Sequence, residues 1–548
     1  MKMDFHTTIF KVKKAALMGA VSAAIFAAPA LATTVDPVLN VQDFTSLLHT
    51  HSTSCTHWNN AAISQKEQLL LGERTKTAVL ERLENLNRSN KLVADGFAEG
   101  QVSKSASTGA NATGPQIVYL DFDSATTGTY SRTFKENPDG TGADVTRILD
   151  EHIYTQQERD YIQARFQADY GQFNYQIVTD KPSDDTTYST VFFNANMPGE
   201  GADAGPAGIQ FGNGGAPQGI LFGIADAIDF RNLDRGENAN VDGNAWAIIA
   251  ELGIFEDRLG MPPTPENIAL ATTIQSAQTG AHELGHVVGL RHYEAWGPIG
   301  KGLPDTGTPP DDAFLPSYTG PREGDETTLH LMGSGASAGL TLADSVVTDR
   351  FFSERSAIKL AFNEQGRVVE EIDGVHNDFA SAQEIKLEKL VVPNTIVEGD
   401  NAEARLNVSA ISIEGTIDEI NQLDFYAFEG EEGDIFNLEL ISIVDWNNDD
   451  FFDPILALFD EDFNLVALSD DEFESPDSFI FDFIMEYTGI IYAAVTSFDY
   501  TEFDRPDLSL GNYQLFVTRT SIPAPATALI FALGLGYLLR SRRKKFAN

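Results

Sequence analysis

The sequence has 548 residues, of which 42% are apolar, and a formal net charge of -44 at pH 7. This length allows two or three globular domains with sizeable cores. The charge excludes nucleic acid as a partner, because phosphate binding requires clustered Lys and Arg. The acidity is typical of a soluble exported protein. In an alternative interpretation, some of the carboxylates hold calcium.

Residues 1–32 have the pattern of a secretory signal peptide. A basic segment precedes a short apolar run at residues 15–28, and Ala30-Leu31-Ala32 supplies a small-x-small cleavage pattern. A membrane-spanning helix is the weaker interpretation, because the apolar run is too short.

Residues 33–114 are predicted to be a helical pro-region and linker. Residues 65–86 are rich in Leu, Glu, Lys and Arg, which favour helix. Residues 101–114 are mostly Ser, Ala, Thr and Gly, as in a flexible linker. Such a pro-region would keep an enzyme silent during export; the alternative is a small helical domain with no special role. Cys55 is the only cysteine, so no intramolecular disulfide can form, which is ordinary for a bacterial exported protein.

Residues 115–365 combine strand and helix patterns. Strands are predicted at residues 117–122, 175–179 and 190–195. Thr155-x-x-Glu158 is a capping box that opens a helix. The buried stripe of that helix recurs at every fourth residue and comprises Ile162, Phe166 and Tyr170. The order of these elements predicts a sheet with helices packed on it.

A second helix is predicted around residue 280. Apolar residues spaced three and four apart predict one buried face, formed by Ile274, Ala277, Ala281, Leu284 and Val288. His282 and His286 lie on a neighbouring face, one helical turn apart, where two imidazoles can reach one metal ion.

The residues after this pair complete a catalytic metal pattern. Glu283 follows the first histidine and lies where it can take a proton from water. Gly289 lets the chain leave the helix through a left-handed turn, and His292 then supplies a third nitrogen. Three nitrogen ligands leave the fourth position of a zinc ion open, as catalysis requires. The alternative interpretation is a set of ordinary histidines on a structural helix.

The stretch from His282 to His292 resembles the metzincin pattern H-E-x-x-H-x-x-G-x-x-H. Metzincins also carry a methionine turn beneath the zinc, and Met332 followed by a helix pattern at residues 351–360 is similar to it. Met332 as an ordinary core residue is the alternative. Ser334 stands where astacin- and serralysin-like members have tyrosine, which disfavours those two subfamilies. The resemblance implies an α+β zincin/metzincin catalytic domain over residues 115–365, with Zn²⁺ as its cofactor.

The same resemblance implies a function, a secreted zinc-dependent endopeptidase. Peptide bonds would be hydrolysed by a zinc-activated water with Glu283 as the general base. The protein or peptide substrate would lie along an edge strand, for which residues 190–195 and 219–225 are the two candidates. The alternative is a catalytically inert cell-surface or biofilm-matrix binding protein. The intact Glu283 favours the enzyme.

Cys55 has a possible role in latency. In some metzincins a cysteine of the pro-region occupies the open zinc position, and a thiolate there is a good ligand. The residues around Cys55 do not match the known latency motif, so an incidental free thiol is the alternative.

Residues 366–520 are predicted to form an antiparallel β-sandwich domain. Two alternating apolar series carry this prediction: Phe436, Leu438 and Leu440, then Tyr513, Leu515 and Val517. Residues 455–459 and 465–468 read as a hairpin. The region resembles the bacterial pre-peptidase C-terminal domain in the order of four short motifs: Asp424-Phe425-Tyr426, Gly433-Asp434, Asp453 and Gly511-Asn512-Tyr513.

Acidic clusters in this domain suggest calcium. The candidate ligands are Asp445, Asn447, Asp449, Asp450 and Asp453 in one loop, and Asp470, Asp471 and Glu472 in another. Oxygen ligands at short spacing suit Ca²⁺. A solvated acidic face is the alternative.

Residues 521–548 are predicted to be a sorting or membrane segment. The apolar run at residues 526–539 is followed by a basic end, which is a stop-transfer pattern. With Pro523-Ala524-Pro525 before it, the segment resembles PEP-CTERM sorting signals, although Ala524 stands where they usually have Glu. The resemblance implies an exosortase-type processing enzyme, transient membrane association, and export through the inner membrane of a Gram-negative bacterium to the cell surface or beyond. A permanent membrane anchor is the alternative.

Deleting residues 521–548 tests this segment. Without the apolar run nothing would hold the chain at the membrane, so we expect the truncated protein in the culture medium and the full-length precursor in the membrane fraction. Fractionation followed by immunoblotting measures the distribution. Complete release of the chain with its tail intact would contradict anchoring.

Overall fold

The structure is a computed structural model that describes most of residues 114–521. The gaps are residues 125, 136–142, 195–208, 212–216, 221–222, 227, 252, 254, 303–320, 327–329, 334–349, 373–375, 378, 394–406, 420–421, 444–451, 464, 470–476 and 498–509. The predicted signal peptide, pro-region and C-terminal segment beyond residue 521 lie outside the described residues. Cys55, Ser334 and every calcium candidate except Asp453 also lie outside them.

The first half of the described chain contains eleven strands and the helices that pack on them. In chain order these are β1 (Gln116–Asp121), β2 (Thr129–Lys135), β3 (Asp144–Asp150), α1 (Gln156–Tyr170), β4 (Tyr175–Val178), β5 (Ser189–Phe193), β6 (Ile209–Phe211), β7 (Pro217–Ile220), β8 (Gly223–Ala225), β9 (Asn238–Val241), α2 (Ala245–Glu251), α3 (Phe255–Leu259), α4 (Pro265–Val287), a 3₁₀ helix (His292–Ala295), β10 (Trp296–Gly297), β11 (Asp325–Glu326) and α5 (Glu354–Gln365). The strand predictions at β1, β4 and β5 are confirmed to within two residues.

Five of these strands form one sheet in the order β4-β1-β5-β9-β8. The first four run parallel, and β8 pairs antiparallel with β9 at the edge. Two segments were predicted as candidates for the edge strand that binds the substrate. The prediction for residues 190–195 is wrong, because their strand, β5, is hydrogen-bonded on both sides. The segment that ends in β8 supplies the edge.

Helix α1 begins where the sequence predicts. The Thr155 side chain accepts from the backbone of Glu158, and the Glu158 carboxylate accepts from the Thr155 backbone, so the capping box is complete. The predicted stripe is fully buried and packs in the core shared with the sheet and α4, with Ile162, Phe166 and Tyr170 at 0% exposure.

Helix α4 is more deeply buried than its sequence predicts. Thr264 caps its first turn, and Pro265 occupies the first helical position. From Gln275 onward every residue of α4 is buried, on all faces, because the helix is enclosed by α1, α2, β8 and β9. The prediction of one buried face was therefore incomplete. Among the described helices, none is both long and apolar enough to cross a membrane.

The second half of the chain is a sandwich of two sheets. Its strands are β12 (Val368–Glu370), β13 (Gln383–Ile385), β14 (Glu388–Leu390), β15 (Asn407–Ile417), β16 (Asp424–Gly430), β17 (Asp434–Ile443), β18 (Pro454–Phe459), β19 (Leu465–Ser469), β20 (Ser478–Ile484), β21 (Gly489–Ser497) and β22 (Gly511–Ser521). One sheet has the order β12-β15-β22-β17-β20, with β14 also on β15, and the other has the order β13-β16-β21-β18-β19. Most pairs are antiparallel, and β18 and β19 form the predicted hairpin.

The two predicted apolar series meet inside this sandwich. Phe436, Leu438 and Leu440 on β17 are 0–1% exposed, and the series on β22 that begins at Tyr513 is 0% exposed. Residues at every second position therefore form the core between the sheets. The strand β22 includes Ser521, whose hydroxyl donates to Asp434 over 2.6 Å. A truncation that keeps the sandwich intact thus begins at residue 522 rather than 521.

The other face of β17 and β22 packs against helix α5. Asn437 and Glu439, the polar positions that alternate with the apolar series, are 8% exposed. They accept from Arg355 and Lys359 of α5, over 2.8 Å and 2.7 Å. The two halves of the molecule are therefore joined by a buried interface that is partly ionic.

Replacing Phe166 by Ala tests the packing of α1 on α4. Phe166 is fully buried against Gly280 of α4, so we expect the free energy of unfolding to fall by about 3–5 kcal/mol. Tyr161 lies on the same helix with 42% exposure, and Tyr161→Ala is the matched control, with an expected change within about 0.5 kcal/mol. Chemical denaturation measures both. Equal losses would contradict the described packing.

Candidate metal centre

Two histidines lie one turn apart at the end of α4. The Nε2 atoms of His282 and His286 are 3.1 Å apart, and both side chains are 1% exposed. Neither ring is free to turn away, because each Nδ1 meets a backbone carbonyl: Leu331 O at 2.7 Å from His282 and Leu290 O at 2.8 Å from His286.

A tight turn after α4 brings the third histidine to the same point. Gly289 has φ +94°, the left-handed conformation that its place in the sequence predicts. The amide of Leu290 donates back to Gly285 O over 2.8 Å and closes the turn. His292, the first residue of the 3₁₀ helix, then places its Nε2 3.2 Å from that of His286 and 3.3 Å from that of His282. The structure thus brings together all three predicted metal ligands.

The short contact between the Nε2 atoms of His282 and His286 is not a hydrogen bond. A carbonyl only accepts, so Nδ1 of His282 and of His286 carries the proton, and each neutral ring has a bare lone pair at Nε2. Lone pairs facing one another at 3.1 Å repel unless a cation lies between them. A tetrahedral zinc ion at 2.0–2.1 Å from three nitrogens separates them by about 3.3 Å, close to the distances observed. The donor set therefore fits zinc.

Burial keeps these imidazoles in the form that binds metal. It lowers the pKa of His282 and His286 well below the usual value, and it lowers the pKa of His292 to about 3. The positive charge that each ring would place on its neighbours acts in the same direction for His282 and His286. All three rings are thus neutral at pH 7, as metal ligation requires.

Glu283 is a buried carboxylate with no hydrogen-bond partner among the described residues. Its side chain is 0% exposed, and burial raises its pKa well above the usual value. A β-carbon at Gly223 of β8 would lie 2.8 Å from Glu283 Cγ, so the edge strand passes directly beside it. A buried carboxylate with no protein partner is costly to keep, which points to a chemical rather than a structural role.

Met332 lies directly against the turn of α4 that carries the two histidines. It is 0% exposed, and a β-carbon at Gly285 would lie 2.5 Å from its Sδ. Its neighbour Leu331 holds the His282 ring through the carbonyl described above. Met332 was predicted either as an ordinary core residue or as a methionine beneath the metal. Both predictions are compatible with this position, because Met332 is a buried apolar residue that also packs against the helical turn of the two histidines. The helix predicted behind it is α5, which begins at Glu354.

The carbonyl groups that orient the rings were not predicted. Leu290 O and Leu331 O are backbone atoms, and any residue type supplies them, so no sequence signal identifies them. The closeness of Gly223 to Glu283 was not predicted either, since β8 is far from α4 along the chain.

A second group of metal-binding side chains lies in the sandwich. Glu371, His376 and Asp424 bring their ligand atoms within 4.8 Å of one another. His376 Nε2 is 4.0 Å from Glu371 and 3.8 Å from Asp424, and has no hydrogen-bond partner among the described residues. The Tyr513 hydroxyl lies 3.1 Å and 2.8 Å from the two carboxylates. Asp424 and Tyr513 belong to motifs noted in the sequence, but their proximity was not predicted.

Comparisons with known proteins give little support to any family. No family model matches the sequence, and no curated protein matches it. Among solved structures, the chain is similar to the pre-peptidase C-terminal domain of a collagenase from Bacillus anthracis, with 17% identity over 19% of this chain and 86% of that one, and a TM-score of 0.15. At that score the similarity does not establish a shared fold. The sandwich rests on its own sheet topology, and membership of the metzincin and PEP-CTERM families stays a prediction.

Gly289→Ala tests the turn that places His292. A β-carbon there would lie 2.7 Å from Phe230 Cα and 2.8 Å from Asp229 O, both backbone atoms. Gly433 has nearly the same φ, +91°, with nothing within 4 Å of its β-carbon position, so Gly433→Ala is the matched control. The control should lose about 1–2 kcal/mol of unfolding free energy from its left-handed backbone alone. We expect a clearly larger loss for Gly289→Ala by chemical denaturation; equal losses would contradict the contact.

Proposed function

We propose that this protein is a secreted zinc-dependent endopeptidase. The convergence of three buried, neutral imidazole nitrogens at 3.1–3.3 Å carries the proposal. His282, His286 and His292 would hold the metal, which leaves one coordination position for catalysis. The export signal predicted at residues 1–32 supports an extracellular site of action.

Glu283 has the position required of a general base. When bound, zinc lowers the pKa of a water molecule and polarises the carbonyl of the scissile bond. Glu283 takes a proton from the attacking water and gives it to the leaving amine, so the carboxylate is regenerated. Because no described protein group donates to it, its oxygens are available for that water. The edge strand passes close beside the side chain at Gly223.

The edge strand β8 supports a peptide as the substrate. It pairs with β9 on one side, and no described strand pairs with its other side. An extended peptide can therefore add to the sheet through main-chain hydrogen bonds. Because Gly223 of β8 lies beside Glu283, a peptide bound there would pass close to the base.

An inert cell-surface or biofilm-matrix binding protein is the second candidate. It would need no metal and no base. A buried Glu283 without a partner would then lower the stability of the fold without serving a function. This cost favours the enzyme. The proposal also keeps five predictions from the sequence. They are processing by an exosortase-type enzyme, transient membrane association, localisation at the surface of a Gram-negative cell, latency through Cys55 and calcium in the sandwich.

Glu283→Gln tests the proposed chemistry. The amide keeps the shape of the side chain but cannot accept the proton, so we expect casein hydrolysis to fall by roughly 10²–10⁴-fold. Zinc content, measured by atomic emission, should stay at the wild-type level because the three histidines are unchanged. Glu266→Gln, at the exposed start of the same helix, is the matched control and should keep full activity. Unchanged hydrolysis by Glu283→Gln would remove the enzyme proposal.

A further inference from the structure

The third histidine differs from the other two in what holds it. His282 and His286 lie on the long helix α4, whereas His292 follows a turn and opens a 3₁₀ helix of only four residues. So short a helix cannot fix a ring by itself. The contacts of the residues beside His292 therefore bear on where its ring lies.

Arg291, the residue before His292, is bound to the sandwich. Its guanidinium donates to Asp477 Oδ2 over 2.7 Å, and the two side chains are 2% and 3% exposed. The other oxygen of Asp477 accepts from the backbone amide and the hydroxyl of Ser442, each over 2.7 Å. Ser442 belongs to β17, so the acceptor for Arg291 is fixed to the sheet.

Glu294, two residues after His292, is bound to the same sheet through one lysine. Lys359 of α5 donates to Glu294 Oε1 over 2.5 Å and to Glu439 Oε2 of β17 over 2.7 Å. The hydroxyl of Ser353 donates to the Glu294 carbonyl. The Glu294 side chain therefore cannot turn without breaking its buried charge pair with Lys359.

Tyr293 completes the attachment from the same side. Its ring stacks on Phe479 of β20 with centroids 4.3 Å apart and an interplanar angle of 25°. Arg291, Tyr293 and Glu294 thus face the sandwich or α5, whereas the ring of His292 faces the other two histidines. The sandwich contacts act on the direction of this one ligand.

We propose that the β-sandwich positions His292 as a metal ligand, with Asp477 and Glu439 as positioning residues. Buried ion pairs contribute little net stability, because desolvation offsets their attraction, but they fix geometry. Residues outside the ligand set that orient a ligand commonly change metal affinity by about 10–100-fold when they are replaced. The inference rests on the proposed zinc centre and assigns the second half of the chain a part in it.

Asp477→Asn tests this inference, with Asp482→Asn as the matched control. Asp482 lies in the same interface and accepts from Arg355 over 2.7 Å with side chains 0% and 7% exposed, but it holds the amides of Gly300 and Gly302, downstream of His292. Its φ of +46° suits Asn. We expect the Zn²⁺ dissociation constant of Asp477→Asn, measured by competition with a chromogenic chelator, to rise by about 10–100-fold. Asp482→Asn should change it by less than about twofold while losing comparable thermal stability.

Glu439→Gln gives a second measurement if Asp477→Asn fails to fold, because Lys359 keeps Glu294 as a partner in that variant. We expect its zinc dissociation constant to rise also, by less than that of Asp477→Asn. The Co²⁺-substituted proteins should show a weaker visible absorption than wild type, since a displaced His292 changes the tetrahedral ligand field.

A coupling measurement separates positioning from general loosening. In a His292→Ala background, the added Asp477→Asn change should leave the residual zinc affinity within about twofold, since its target is gone. Equal weakening by Asp477→Asn and Asp482→Asn, or an undiminished effect in the His292→Ala background, would overturn the positioning role alone. A wild-type protein that binds no stoichiometric zinc would overturn the metal centre and this inference with it.

Discussion

The repulsion between the imidazole lone pairs of His282 and His286 is the constraint on which the site depends. Two of the rings have their protons fixed on Nδ1 by backbone carbonyls, so their Nε2 atoms meet without any hydrogen between them. Such an arrangement is unfavourable for the bare protein and favourable only around a cation. The left-handed Gly289, the methionine packed on Gly285 and the carbonyl of Leu331 all serve to hold this arrangement. The proposed metal would account for all of them.

Glu283 extends the same reasoning from binding to chemistry. Three protein ligands are one fewer than a structural zinc site has, and a structural site has no need of an unpaired buried carboxylate beside it. The open side of β8 adds an independent feature, since it gives an extended peptide a place to bind. The fold thus brings β8, which is distant in the chain, beside Glu283 and the histidine that precedes it. The proposed hydrolysis of a peptide bond would use all three.

Local rules predicted the parts of this arrangement that are local. The spacing of His282 and His286, the capping box at Thr155 and the left-handed turn at Gly289 depend on residues close together in the chain, and the structure confirms them. The edge strand was narrowed only to two candidates, because strand order is set by pairing between distant segments. The burial of α4 on all sides was missed, because periodicity records one partner surface and α4 has several. The burial of the polar face of β17 was not predicted, because its partners, Arg355 and Lys359, lie on a helix 80 residues away.

The burial of basic side chains against the sandwich is unusual for so acidic a chain. The chain has only 37 basic residues against 81 acidic ones, yet Arg291, Arg355 and Lys359 are all buried where the turn after α4 and helix α5 meet the sandwich. Each is paired with a carboxylate of the sandwich, at 2.7 Å. An apolar interface of the same area would stabilise the contact at lower desolvation cost, but it would tolerate sliding and rotation. Charged pairs with fixed acceptors do not tolerate them. An interface that must hold one imidazole in a set direction therefore gains more from buried charge than from additional apolar contact.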